Sequence, residues 1–137
     1  MKIFVDTAPF IYLMENHPKF AGKIKKAITE AIVNGDTLVT SVVTYMEFGV
    51  KPERENRQDL IRKFDDLLNR LNIDILVVDK EASRKAYQMR AKYKFLKGMD
   101  ALQIGLSIKE NCSVFITNDK NLKKIAESNV KTMDDLQ

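Results

Sequence analysis

SVFITND, Ser113 to Asp119, is an apolar, β-branched run that ends on a carboxylate. Four of its first five residues suit a buried strand. An ionised carboxylate is costly in such surroundings unless it is paired or coordinates a cation, so something must compensate for Asp119. Three other runs share the strand character: KIFV (Lys2–Val5), TLVT (Thr37–Thr40) and DILVV (Asp74–Val78). A helical pattern follows each run, and that alternation predicts an α/β fold with a parallel sheet of four to five strands flanked by helices.

The helical patterns cover Ala8–Glu15, Pro18–Asn34, Val42–Val50, Arg54–Arg70, Lys80–Lys94, Met99–Lys109 and, more briefly, Asn121–Glu127. In LIRKFDDLLNRL, Leu60, Ile61, Phe64, Leu67, Leu68 and Leu71 recur at helical spacing, which marks an amphipathic core helix. Asn34-Gly35-Asp36, Lys51-Pro52 and Lys97-Gly98 read as turns. There is no repeat, low-complexity tract or linker, and 137 residues suit one compact domain rather than two, so 1–137 is expected to fold as a single unit.

Composition narrows the function classes. No segment approaches the run of about 20 apolar residues that spans a bilayer, and MKIFVDTAPF places an acid where a signal peptide would stay apolar. A cytoplasmic protein is expected. The one cysteine, Cys112, adjoins an apolar run and reads as a small buried hydrophobe. A net charge of +4 leans mildly toward anionic partners.

The acids carry more information. In an open parallel sheet, ligands bind beyond the carboxyl ends of the strands. Asp6 directly follows the first strand and Asp119 lies just past the last. Glu47, in SVVTYMEFGV, adjoins Val43 at the margin of a stripe formed by Val42, Val43, Met46 and Val50. Asp100 opens MDALQIGLSI, a helix apolar around most of its circumference. Each acid also has an ordinary explanation: Asp6 and Asp119 as N-caps, Asp100 as a helix-dipole partner, Glu47 as a solvated residue. Asp79 meets the same strand-end criterion, but with Glu81 behind it and no unusually apolar helix attached it reads as a plain N-cap.

Clustered carboxylates raise one another's pKa unless a cation neutralises them. Oxygen ligands suit Mg²⁺ or Mn²⁺. With one histidine, His17, in a turn and one cysteine, the parts for a zinc site, a Cys-His nucleophile or a Ser-His-Asp triad are missing, and no glycine-rich phosphate loop is present.

Asp6 in FVDTAPFIYLME, Glu47 in TSVVTYMEFGV, Asp100 in KGMDALQIGLSIK and Asp119 in FITNDKNLKKI together resemble the four acidic motifs of PIN-domain ribonucleases. GMDALQIG and ITND especially resemble the toxins of VapBC toxin–antitoxin pairs. The resemblance covers nearly the whole chain and implies a metal-dependent endoribonuclease, homodimeric and neutralised by a small antitoxin. Ala8 stands where many relatives have a small polar residue, and Asn121 where some have a further acid, which bears on a second metal site.

On that resemblance Asp6, Asp100 and Asp119 hold Mg²⁺ or Mn²⁺, and Glu47 ligates a second ion or orients the attacking water. Thr7, Thr117 and Asn118 support the carboxylates. RNA is expected to meet the basic and aromatic stretch SRKAYQMRAKYKFLKGMD, with Lys97, Arg90 and Lys94 as contacts and Lys97 foremost. An antitoxin segment would lie in a groove between the early helices. Two rivals stay open: a PIN nuclease of RNA processing without an antitoxin, and a non-catalytic metal-binding regulatory α/β module.

Overall fold

The computed structural model describes residues 1–137. The strands are β1 (Lys2–Val5), β2 (Thr37–Ser41), β3 (Asp74–Leu76), β4 (Val114–Thr117) and β5 (Val130–Thr132). All pair in parallel, in the order β3-β2-β1-β4-β5. The helices are α1 (Thr7–Met14), α2 (Ala21–Val33), α3 (Val42–Arg54), α4 (Gln58–Arg70), α5 (Lys80–Lys92) and α6 (Gly98–Lys109). None is long and apolar enough to cross a membrane.

Side chains alternate across the strands, as a pleated sheet requires, and both faces are apolar because helices cover both. Ile3, Val5, Leu38 and Ile116 join Phe10, Ile24, Ile28, Phe48, Phe64 and Leu68 on one face. Phe4, Val39 and Phe115 join α5 and α6 on the other. Phe4 and Phe115, paired in register on neighbouring strands, stack with ring centroids 5.0 Å apart. Both are fully buried, each contributing about 1.5–3 kcal/mol of hydrophobic stabilisation.

The order 3-2-1-4-5 puts a topological switch between β1 and β4, where the chain's crossovers run to opposite sides and leave a crevice at the strands' carboxyl ends. Val5 pairs with Ile116, and Asp6 N donates to Ile116 O at 2.9 Å, so the residues after β1 and β4 meet at that crevice.

Several sequence expectations need correction. α3 does not stop at Val50; it runs through Pro52 to Arg54. Pro52 lies in the last turn, where its missing N–H removes only one helical bond, and its ring is buried. The helix expected from Arg54 begins only at Gln58, because Asn56 adopts φ 55° and breaks the chain path between α3 and α4. The same left-handed residue follows α1, α4 and α6 at Asn16, Asn72 and Asn111, and α2 at Gly35, the usual way for a helix to stop. Lys97-Gly98 is not a turn: Lys97 is the N-cap and Gly98 the first residue of α6. The segment expected as a helix over Asn121–Glu127 is a 3-10 turn at Lys120–Lys124. In α3 the buried residues are Val43, Thr44, Phe48 and Pro52, while Val42, Met46 and Val50 are exposed, so of the apolar stripe inferred from the wheel only Val43 faces the core.

Candidate functional site

Asp6 is the deepest of the acids, 9% exposed at the end of β1. Its Oδ1 accepts from Thr7 N (2.8 Å) and Gln103 Nε2 (3.1 Å), and its Oδ2 accepts from Thr117 Oγ1 (2.8 Å). A carboxylate offers roughly four acceptor sites, so about one stays free. Burial nevertheless raises its pKa above the ordinary carboxylate value, with the charge of Asp119 adding to the rise, against the lowering by these three hydrogen bonds.

Glu47 reaches the same place from α3, and its Oε1 accepts from Thr7 Oγ1 at 2.7 Å. Thr7 thereby positions two acids, Asp6 through its N–H and Glu47 through its hydroxyl. Asp119 follows β4; its N–H donates to Thr117 Oγ1 (3.2 Å), and its Oδ1 accepts from Asn121 N (3.0 Å). Asp100, in the first turn of α6, is half-buried and pushed up to about 6. Burial is the main cause, followed by the negative charges of Asp6, Asp119 and Glu47, with Lys97 pulling the other way. The four acids therefore act on one electrostatic centre.

They line an open cleft of about 590 Å³ with Thr7, Ala8, Ile11, Thr117 and Asn118. None of the four takes part in a salt bridge, although ion pairs are common elsewhere on the chain. No three of the His, Cys, Asp or Glu side chains are gathered tightly enough to hold a metal ion. Uncompensated carboxylates repel one another, and hard oxygen donors with no competing thiol or imidazole suit Mg²⁺ or Mn²⁺. Asp6 and Asp119 also cap the elements that follow them, as Asp79 caps α5 by accepting from Ala82 N (2.9 Å), but Asp79 pairs with Lys109 at 3.1 Å and lies outside the cleft.

Other expected residues are placed less uniformly. Thr7 and Thr117 hydrogen-bond to the carboxylates or hold their backbone, whereas the Asn118 amide lines the cleft but donates to Tyr12 Oη (2.7 Å) rather than to an acid. Lys97 stands at the α6 N-terminus beside Asp100; Arg90 and Lys94 are exposed and line no part of the cleft.

The residue that sequence reasoning missed is Gln103. Buried in α6 one turn beyond Asp100, it donates to Asp6 and to Thr44 Oγ1 (2.7 Å) and accepts from Ser41 Oγ. It ties α6 to β1 and to the start of α3. An amide inside the otherwise apolar run ALQIGL was the available signal. Gln103→Leu removes one buried hydrogen bond each from Asp6, Thr44 and Ser41 and is expected to cost about 1–3 kcal/mol, measured by denaturant unfolding. Unfolding within a few tenths of a kcal/mol of the parent would mean that the hub does not matter.

The PIN domain model matches residues 3–128. The chain belongs to the PIN domain family. PIN domains generally use divalent metals, in keeping with the donor set of this cleft.

Solved structures of the same fold include VapBC2 from Rickettsia felis bound to a DNA fragment of its promoter, at TM-score 0.83 and 18% identity over 96% of this chain and 98% of that one. VapBC-1 from nontypeable Haemophilus influenzae gives 0.74 and 24% over 98% and 99%. VapC20 from Mycobacterium tuberculosis, a sarcin–ricin loop cleaving toxin, gives 0.67 and 14% over 93% and 98%. No curated protein matches the sequence. This PIN domain is thus built like the VapC toxins along its whole length.

Proposed function

We propose that the chain is a Mg²⁺- or Mn²⁺-dependent endoribonuclease, the toxin of a toxin–antitoxin pair, with residues 1–137 as its nuclease domain. The observation that carries this reading is the convergence of Asp6, Glu47, Asp100 and Asp119 on one cleft at the β1/β4 switch point, each without a cationic partner. Asp6, Asp100 and Asp119 would hold the metal, drawing in around it from the wider spacing they have here. A bound divalent ion lowers the pKa of water and neutralises charge on the phosphate under attack.

The chain's own groups do the rest. Three hydrogen bonds fix Asp6, so its remaining acceptor site points in one direction. Thr7 holds Oε1 of Glu47 and leaves Oε2 to take the proton from the attacking water as its oxygen bonds to phosphorus, while the P–O bond to the ribose oxygen breaks and that oxygen leaves with a proton from solvent. Lys97 draws the phosphodiester toward the cleft mouth.

A second groove favours the toxin over an RNA-processing nuclease without an antitoxin. Ile11, Met14, Phe48, Pro52 and Leu60 line it, and it shares Ile11 and Glu47 with the cleft. An amphipathic antitoxin segment seated there brings a basic side chain to Glu47. The outward Val42, Met46 and Val50 supply an apolar surface for a homodimer, read by the mass in solution.

The deciding experiment incubates the protein with total RNA, with and without divalent cation, and maps the ends. Cleavage that needs Mg²⁺ or Mn²⁺ is expected; undiminished cleavage under chelation refutes the metal mechanism, and no cleavage with either ion favours the non-catalytic module. Growth arrest on expression, relieved by a small neighbouring gene product, separates toxin from processing enzyme. Asp79→Asn is the control. Asparagine caps as well as aspartate, so cleavage should stay within twofold or so of the parent.

A further inference from the structure

Past Asp100 and Asp119 the cleft opens into a smaller recess of about 110 Å³, walled by Phe95, Lys97 and Asn121. Phe95 lies in the link between α5 and α6. It is 38% exposed, while its neighbour Leu96 is buried and anchors the link. Tyr93 meets the ring edge-on, with centroids 5.9 Å apart, and Lys124 Nζ stands 5.6 Å from its centroid.

The surrounding cations are sorted. Lys92, Lys120 and Lys123 are each tied to a carboxylate, on Glu127, Asp134 and Asp135. Lys97 and Lys124, the two beside the recess and the ring, have no such partner. The side-chain amide of Asn121 is exposed and makes no hydrogen bond of its own. An exposed aromatic ring with the Lys124 ammonium over its face, a second ammonium without a carboxylate partner at Lys97, and a free amide are the parts that bind one unpaired nucleotide.

We infer that Phe95 is the stacking platform for a base of single-stranded RNA next to the scissile phosphate, with Lys97 and Lys124 on its phosphates and Asn121 at the base edge. This rests on the nuclease reading and names how its substrate is held. An entering base takes the place over the ring where Lys124 Nζ now stands, and the displaced ammonium remains beside the nucleotide's phosphate. A base inside a duplex is already stacked and cannot use the platform, so the site selects single strands.

The test is binding of a short single-stranded RNA carrying 2-aminopurine to Asp100→Asn protein with Mg²⁺, followed by affinity and by quenching of the base. Adding Phe95→Ala is expected to weaken binding about 5- to 150-fold and to abolish the quench. Phe95→Tyr should keep both. Lys97→Ala with Lys124→Ala, exposed positions that leave the fold alone, should lower the slope of log K against log salt by about 1.4. Equal affinity and quench in Phe95→Ala, or the same Phe95 dependence for a duplex of that sequence, overturns the inference. If wild-type protein cuts RNA with Mg²⁺ while Phe95 proves irrelevant, only this subsite falls. If RNA is neither bound nor cut, the subsite and the nuclease reading fall together.

Discussion

Asp100→Asn is expected to lower metal-dependent RNA cleavage by more than a hundredfold and, in the same protein, to raise the melting temperature without metal. Losing a group that only orients a metal ligand typically costs about 10- to 100-fold, and losing a ligand itself should cost more. The stabilisation has a separate cause. Asp100 titrates at about 6 in the fold against an ordinary 3.8, because burial and three neighbouring acids disfavour its charge. Between those values the folded protein holds a proton that the unfolded chain has lost, so stability rises as pH falls from 7 toward 4. Asp6, also raised, adds in the same direction. Below about 4 the trend reverses as Asp59 and Asp135, both lowered to about 2 by ion pairing with Arg57 and Lys123, become protonated. The Asn variant should have a flatter profile between pH 6 and 4.

Mn²⁺ completes the test without any catalysis. At a hundredfold excess over its Kd an ion bound only by the folded state adds about 2.7 kcal/mol, several degrees in melting temperature. Wild type should show that shift and the Asn variant should lose most of it. The shift should also shrink at low pH, where protons compete for the ligands. Full-rate cleavage by Asp100→Asn, or an equal Mn²⁺ shift in both proteins, would remove Asp100 from the site.

Why Asp100 was legible while Gln103 was not is a matter of which signals are local. β1, β2 and β4 announce themselves because strands covered on both faces are continuous apolar runs. β5 does not: it is a three-residue edge strand, VKT, with an exposed lysine at its centre. Asp6 and Asp79 present the same local pattern, a carboxylate after a strand and before a helix. What separates them is strand order, since β1 and β4 are central neighbours while β3 is an edge strand, and order depends on contacts between distant residues. Gln103 was passed over for a related reason: its partners Asp6, Ser41 and Thr44 are 59 to 97 residues away. Pro52 misled in the opposite way, because a strong local breaker is tolerated where the helix was about to end. The outward stripe of α3 shows that periodicity finds an apolar face without saying what covers it.

The largest effect on the fold itself is expected at Gly105. In α6 it faces α5 so closely that an added Cβ would lie 2.6 Å from Ala86 N, 2.7 Å from Ala82 O and 2.9 Å from Ala86 Cα. These are backbone atoms, and no side-chain rotation relieves them. Alanine normally gains about 1 kcal/mol over glycine within a helix, whereas overpacking a tight core costs about 1–3 kcal/mol. With three backbone contacts at once, Gly105→Ala should be destabilising by roughly 3 kcal/mol, at the top of that range. Gly49→Ala, in α3 with nothing within 4 Å, should instead be neutral or stabilising by up to about 1 kcal/mol. The opposite signs of one chemical change at two helical glycines make denaturant unfolding of the pair a clean measurement. The consequence extends to the cleft, since forcing α5 and α6 apart shifts the helix that carries Asp100 and Gln103 relative to Asp6 on β1. Misplacement by about 1 Å can cost a hundredfold in rate, so Gly105→Ala should lose cleavage even where it remains folded. If Gly105→Ala unfolds at the same denaturant concentration as wild type, α5 and α6 are not in the close contact that positions Asp100.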